Sequence, residues 1–150
     1  MYQNHPIRKY FDTQEVVCPH VFGWFGNRAW QFFDPRLLDV MYYIRHWIGK
    51  PVYVNNWQVG GSLTQRGLRC NVCMLVREKT DLQKVYMTPH YQGTGWDFSV
   101  QGMSAEEVRQ WIVDHQDELP YPVRLESGVN WVHLDVRTDG SQGKVTFFNA

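Results

Sequence analysis

The chain has no excess of either charge sign: 15 Lys and Arg residues balance 15 Asp and Glu residues over 150 positions. That balance leaves no basic surface to release counterions from a nucleic acid and no polybasic patch for an anionic membrane. Neither a nucleic-acid partner nor membrane insertion is expected. No run approaches the roughly 20 apolar residues that span a bilayer. The opening M-Y-Q-N-H-P-I-R-K-Y-F-D has no apolar stretch of the secretory type, which predicts a soluble protein made in the cytoplasm. Cysteine is scarce. The three thiols are Cys18, Cys70 and Cys73, and an odd number in such a chain argues against a disulfide framework. Internal repeats, low-complexity tracts and linkers are missing too.

What is present suffices for one core. Hydrophobic residues make up 43% of the chain, and its length fits a single domain over 1–150. Aromatic residues are abundant, with 7 Trp, 8 Tyr and 8 Phe; they suit either a packed small domain or a surface that stacks on flat ligands. The first 33 residues read as an aromatic, irregular segment packed on the rest. Asp34 as cap and Pro35 at the first position start a helix with Leu37, Met41, Ile44 and Ile48 on one face, and Gly49 and Pro51 stop it. Val52-Tyr53-Val54 reads as a short strand. Asn55 to Thr88 reads as a long excursion, within which C-N-V-C-M-L-V fits strand and helix equally. Gly95 to Val100 reads as a strand. Ser104 and Glu107 form a capping box for a second helix that buries Val108, Trp111 and Ile112. Two strands follow, near Trp131–Arg137 and Lys144–Phe148. The sum predicts an α+β domain, an antiparallel sheet with flanking helices.

Two segments carry candidate chemistry. T-P-H-Y-Q-G-T-G-W-D-F contains His90 and Asp97, and its two glycines allow a tight backbone path that can aim both at one place. N-W-V-H-L-D-V-R alternates, so His133 and Asp135 share a strand face. A catalytic zinc takes three protein ligands from His and carboxylate and keeps one position open. His90, Asp97 and His133 would supply that set; without a metal the two histidines read as hydrogen-bonded structural residues. Asp135 beside Arg137 also reads as a strand-face ion pair. Cys70 and Cys73 read as small buried hydrophobes, although Cys18 and His20 in C-P-H would complete a Cys3His set with them. His5, His46 and His115 show no partner pattern. Trp47 and Trp111 read as core or groove wall.

T-P-H-Y-Q-G-T-G-W-D resembles the S-x-H-x-x-G-x-A-x-D motif of the zinc D-Ala-D-Ala carboxypeptidases and related murein endopeptidases. Thr88 stands for the Ser, His90 for the His, Gly93 for the Gly, Gly95 for the Ala and Asp97 for the Asp. W-V-H-L-D-V-R is similar to the strand that brings in the third ligand, here His133. The resemblance runs in order from about Phe11 to Arg137, and it is most like phage-encoded members. It implies a Hedgehog-like zinc D,D-peptidase fold, one catalytic Zn2+ and zinc-assisted amide hydrolysis, in which the metal activates water and polarises the scissile carbonyl. The Hedgehog signalling domain has the same fold, so fold leaves activity open. The implied partners are peptidoglycan stem peptides and, in a virion, other virion proteins. The implied setting is the cell wall after release, or the phage particle.

Beyond Thr88 and Gly95, the chain departs from the family's pattern at two places that bear on the chemistry. Asn55-Asn56-Trp57 stands where S-G-Y-R is expected, so Arg66 and Arg69 of T-Q-R-G-L-R are the candidates for reading a substrate carboxylate. Asn130 stands where many relatives carry the Glu of E-x-x-H, and an amide cannot accept the proton. Asp135 and Glu126 are the remaining candidates for the general base, with Asp135 alternatively a partner of His133. Trp57, Tyr91, Trp96 and Trp131 are the rings expected to line a substrate groove. The expected function is a peptidase that cleaves D-amino-acid-containing bonds of peptidoglycan, in wall lysis or at phage infection. The alternative is an inactive protein on the same fold, a virion structural or wall-binding module.

Overall fold

The computed structural model describes residues 4–138 and 143–150. The aromatic N-terminal segment is ordered into helical turns rather than irregular. A 3-10 turn at Pro6–Lys9 precedes α1 (Thr13–Val16) and α2 (Pro19–Phe25), and a second 3-10 stretch covers Gly26–Phe32. Its burial is specific: Trp30 is fully enclosed, and its Nε1 donates to Thr13 Oγ1 at 2.9 Å. A buried indole needs such a partner. Phe11 and Phe33 stand edge-on to Trp96 at 5.4 and 5.5 Å. The segment thus builds the core instead of decorating it.

α3 (Pro35–Ile48) starts and ends as its sequence dictates. The Asp34 carboxylate accepts from the Arg36 N–H, and Gly49 closes the helix in the left-handed region. Leu37, Leu38, Val40, Met41 and Ile44 are buried. α4 (Met74–Asp81) and α5 (Pro89–Gln92) lie in and after the long excursion, and α6 (Ala105–Asp114) carries the Ser104–Glu107 capping box. C-N-V-C-M-L-V resolves into a turn that becomes helical at Met74.

Five strands form one sheet in the order β1-β2-β4-β3-β5: β1 (Val52–Tyr53), β2 (Gly95–Val100), β3 (Val123–Glu126), β4 (Val132–Asp135) and β5 (Val145–Phe148). The α+β class holds, but the sheet expected to be antiparallel is mixed, because β5 runs parallel to β3. Sequence reading passed over β3, although V-R-L-E alternates, because Pro120 and Pro122 just before it read as a terminator.

The register organises the chemistry. Asp97 sits directly opposite His133, and Arg124 directly opposite Asp135. Strand side chains alternate between faces. One face therefore presents Trp96, Phe98, Leu125, Val132 and Leu134 to the helices, all buried. The other gathers Asp97, His133, Asp135, Arg124, Glu126 and Phe148. Among the described residues no helix is long and apolar enough to cross a membrane.

Candidate metal centre

His90, Asp97 and His133 converge, with one ligand atom from each inside a 4.8 Å group that could hold a metal ion. Asp97 Oδ1 lies 2.7 Å from His133 Nδ1 and 3.3 Å from His90 Nε2. Zinc bonds of about 2.0–2.1 Å in tetrahedral geometry place ligand atoms about 3.3–3.4 Å apart. The His90 edge already has that length, and the His133 edge needs to open by about 0.6–0.7 Å. All three residues are buried, with exposures of 3%, 8% and 6%.

Each histidine is held by its other nitrogen. His90 Nδ1 lies 2.9 Å from the Gly67 carbonyl and His133 Nε2 lies 3.0 Å from Asp135 Oδ2. With the outer nitrogens as donors, His90 Nε2 and His133 Nδ1 are the atoms that would offer lone pairs to a metal beside Asp97 once the proton His133 shares with that carboxylate had left. Such outer partners fix tautomer and ring orientation in metal sites. Asp135 is itself fully buried and accepts from Arg124 Nε at 2.8 Å, Arg124 Nη2 at 2.9 Å and the Arg137 N–H at 3.1 Å. The ion pair read between Asp135 and Arg137 is therefore made with Arg124, its cross-strand partner. Arg137 contributes its backbone.

The electrostatics follow from burial and pairing. Burial pushes His90 below the ordinary imidazole value, against the pull of Asp97. His133 is desolvated as well, but hydrogen bonds to Asp135 and Asp97 prevail and raise it to about 9. Burial alone would raise Asp97 and Asp135, yet the imidazoles hold Asp97 far below the carboxylate range, and His133 and Arg124 hold Asp135 below it. A metal held by these ligands would take the place of the proton between His133 Nδ1 and Asp97, so uptake would be coupled to proton release.

Local structure explains the convergence. Gly93 ends α5 at φ +72°, and a Cβ there would sit 2.0 Å from the Phe32 carbonyl oxygen. Gly95 lies so close to Pro89 and Asp135 that a Cβ would meet both at 2.8 Å. The excursion returns as well. Its segment 66–69 accepts the Asp97 N–H on the Arg66 carbonyl (2.7 Å), holds His90 through Gly67, and donates from the Arg69 N–H to the His90 carbonyl (3.0 Å).

A cleft of about 340 Å³ opens over the ligands, lined by Arg69, Tyr86, Arg124, Glu126, Trp131, Arg137 and Phe148 among others. Of the arginines expected there, Arg69 lines it and lies 3.7 Å from Asp97 Oδ2, while bonding the Gln65 carbonyl and the Tyr86 hydroxyl. Arg66 turns to Ser99 Oγ at 3.0 Å and lines a neighbouring depression that also includes Asn130 and Trp131. Of the expected rings, Trp131 lines the cleft and Trp96 is core. Trp57 bonds the Val17 carbonyl and packs on Phe22 (6.0 Å), outside the cleft lining. Tyr91 is exposed on α5, outside the cleft lining. Glu126 lies in the lining. Arg124, Tyr86 and Phe148 were missed, and only the alternation of β3 signalled the first of them; Arg137, expected only as an ion-pair partner of Asp135, also lines the cleft.

Elsewhere, His5 bonds Asp39 at 2.9 Å, His46 bonds the Tyr10 hydroxyl at 2.7 Å, and His115 bonds the Trp111 carbonyl at 2.7 Å. Each of the three thus has a partner that spacing did not reveal. Trp47 is 65% exposed, not core.

The molecule is therefore an α+β domain with a buried His-Asp-His group able to hold a metal. No family model matches the chain, and neither the curated proteins nor the solved structures contain a significant match.

Proposed function

We propose that the protein is a zinc-dependent peptidase that cleaves D-amino-acid-containing peptide bonds of peptidoglycan, acting in wall lysis or at phage infection, on the Hedgehog-like zinc D,D-peptidase plan its motifs resemble. The observation that carries this reading is the orientation of the two histidines. Each has its far nitrogen anchored, on Gly67 or Asp135, so that its near nitrogen faces Asp97 beneath an open cleft. Structural histidines need no such common focus. A neutral, buried His90 and a carboxylate suit a borderline metal with N and O ligands. When bound, zinc would supply Lewis-acid polarisation of the carbonyl and activation of water.

The chain's own groups fit the rest of the task. Arg69, Arg124 and Arg137 surround the cleft and suit the terminal carboxylate of a stem peptide. No side-chain partner of the Arg137 guanidinium is found among the described residues. Trp131, Tyr86 and Phe148 offer apolar walls for a peptide or glycan. Among the described residues, Glu126 is the side-chain carboxylate of the cleft lining outside the ligand set, and so the candidate to accept a proton from water. Asp135 is committed to Arg124 and His133.

Asn130, exposed at the edge of the neighbouring depression, favours a second reading: a wall-binding or virion module without turnover. One experiment separates them. The zinc-loaded protein is incubated with purified peptidoglycan, and soluble fragments are identified by mass. Released peptides with new termini support the peptidase. Co-sedimentation with the wall and no fragments supports the module and refutes the peptidase.

A further inference from the structure

Outside the cleft, a second group of side chains converges. Cys18, His20, Cys70 and Cys73 each direct one ligand atom into a set no wider than 4.8 Å. We propose that these four residues form a structural Cys3His zinc site, separate from the His90–Asp97–His133 centre.

The argument rests first on the shape of the group. Zinc–sulfur bonds of about 2.3 Å and zinc–nitrogen bonds of about 2.0–2.1 Å in a tetrahedron imply S···S edges near 3.8 Å and S···N edges near 3.6 Å. The distances are 3.7 Å for Cys18 Sγ–Cys70 Sγ and 3.9 Å for Cys70 Sγ–Cys73 Sγ. They are 3.6 Å for Cys70 Sγ–His20 Nδ1 and 3.7 Å for Cys73 Sγ–His20 Nδ1. Four edges of a zinc tetrahedron are thus at length. A thiol pair packed as hydrophobes has no reason to include an imidazole nitrogen at the same spacing, and a disulfide would leave the third sulfur and His20 without a role.

The backbone supports the same reading. Cys70-x-x-Cys73 has the spacing of a zinc-ligand pair. Cys73 Sγ accepts the Cys70 N–H at 3.5 Å. A backbone donor on a ligand sulfur suits a thiolate and tunes a metal site from its outer shell.

The site has a task in the fold. It joins the start of α2 to the start of α4, residues 52 positions apart in the Cys18–Cys70 pair. Between those anchors runs the segment 66–69 that holds His90 and Asp97. Leu68 is paired with Val17, and the Cys18 N–H donates to the Leu68 carbonyl at 3.0 Å. A metal at the four ligands would staple the excursion down beside the first centre without touching its ligands.

The test uses the full chain purified under reducing conditions, stripped of metal and reloaded with zinc or cobalt(II). Wild type is expected to carry a thiolate-to-cobalt charge-transfer band. That band should persist in His133→Ala, which removes only the first centre, and vanish in Cys73→Ser with loss of one bound zinc. Absence of the band from wild type, or an unchanged zinc count in Cys73→Ser, overturns the proposal. Should Cys73→Ser fail to fold, His20→Ala decides, since His20 is exposed: a tenfold or greater loss of affinity is expected, and unchanged affinity overturns it. Chelation should lower the melting temperature of His133→Ala, and no shift overturns a structural role. A failed peptidase reading leaves all these readouts intact.

Discussion

Replacing Asp135 by Asn tests the organisation of the first centre, because the substitution keeps shape and changes only what the group can accept. The carboxylate has no exposed surface and receives donors on both oxygens. Arg124 Nε and the Arg137 N–H approach Oδ1, while Arg124 Nη2 and His133 Nε2 approach Oδ2. An amide can keep one oxygen. If it keeps the Oδ1 side, its NH2 faces His133 Nε2, and the imidazole must move its proton to Nδ1, the nitrogen aimed at Asp97 and the metal position. If it keeps the other side, its NH2 opposes Arg124 Nε and the Arg137 N–H. Loss of an outer partner of a ligating histidine costs about 10- to 100-fold in metal affinity, or about 1.4–2.8 kcal/mol. Breaking a buried ion pair costs about 3–5 kcal/mol, and the low end applies because Arg124 is partly exposed. Competition with a chromophoric chelator, on protein whose fold is checked by circular dichroism, measures the first effect, and urea denaturation the second. A folded Asp135→Asn protein with affinity within about twofold of wild type would refute the anchoring role. Lost turnover at full metal occupancy would instead make Asp135 the base.

Three further outcomes follow from the geometry. Glu126→Gln should leave metal binding unchanged and reduce peptidoglycan turnover by about 100-fold or more, the scale of a lost general base; full activity would remove Glu126 from the chemistry. Gly93→Ala should destabilise the fold by more than about 1–2 kcal/mol, the cost of the left-handed conformation alone, because its Cβ would also collide with the Phe32 carbonyl; an unchanged melting temperature contradicts this. In metal-stripped protein the His133 contribution is fully present below its unfolded value of 6.5 and is lost as pH rises through about 9. The depressed carboxylates Asp97 and Asp135, and the depressed His90, act oppositely and withdraw stability as the pH falls into the acid range. Denaturation midpoints should therefore fall on both the alkaline and the acid side of neutrality, and His133→Gln should flatten the alkaline limb.

The parts of this protein that sequence alone determined are those governed by local rules. Asp34, Pro35 and Gly49 bound α3 through capping and φ preference, and Ser104 and Glu107 start α6, because those interactions close within a few residues. The alternation in N-W-V-H-L-D-V-R put His133 and Asp135 on one face, and the short path from His90 to Asp97 brought those two together. Tertiary structure decided everything that depends on register and long loops. Only the β2–β4 and β3–β4 pairings set Asp97 opposite His133 and Arg124 opposite Asp135, replacing the expected Arg137 ion pair. Only the return of segment 66–69 separated Arg69, in the cleft, from Arg66, beside it. The Cys3His group was visible as composition, but no spacing rule brings residues 18 and 70 together. Their approach is fixed by the Val17–Leu68 bridge, a contact between segments some fifty residues apart, whose closure depends on the buried core as a whole rather than on any local preference.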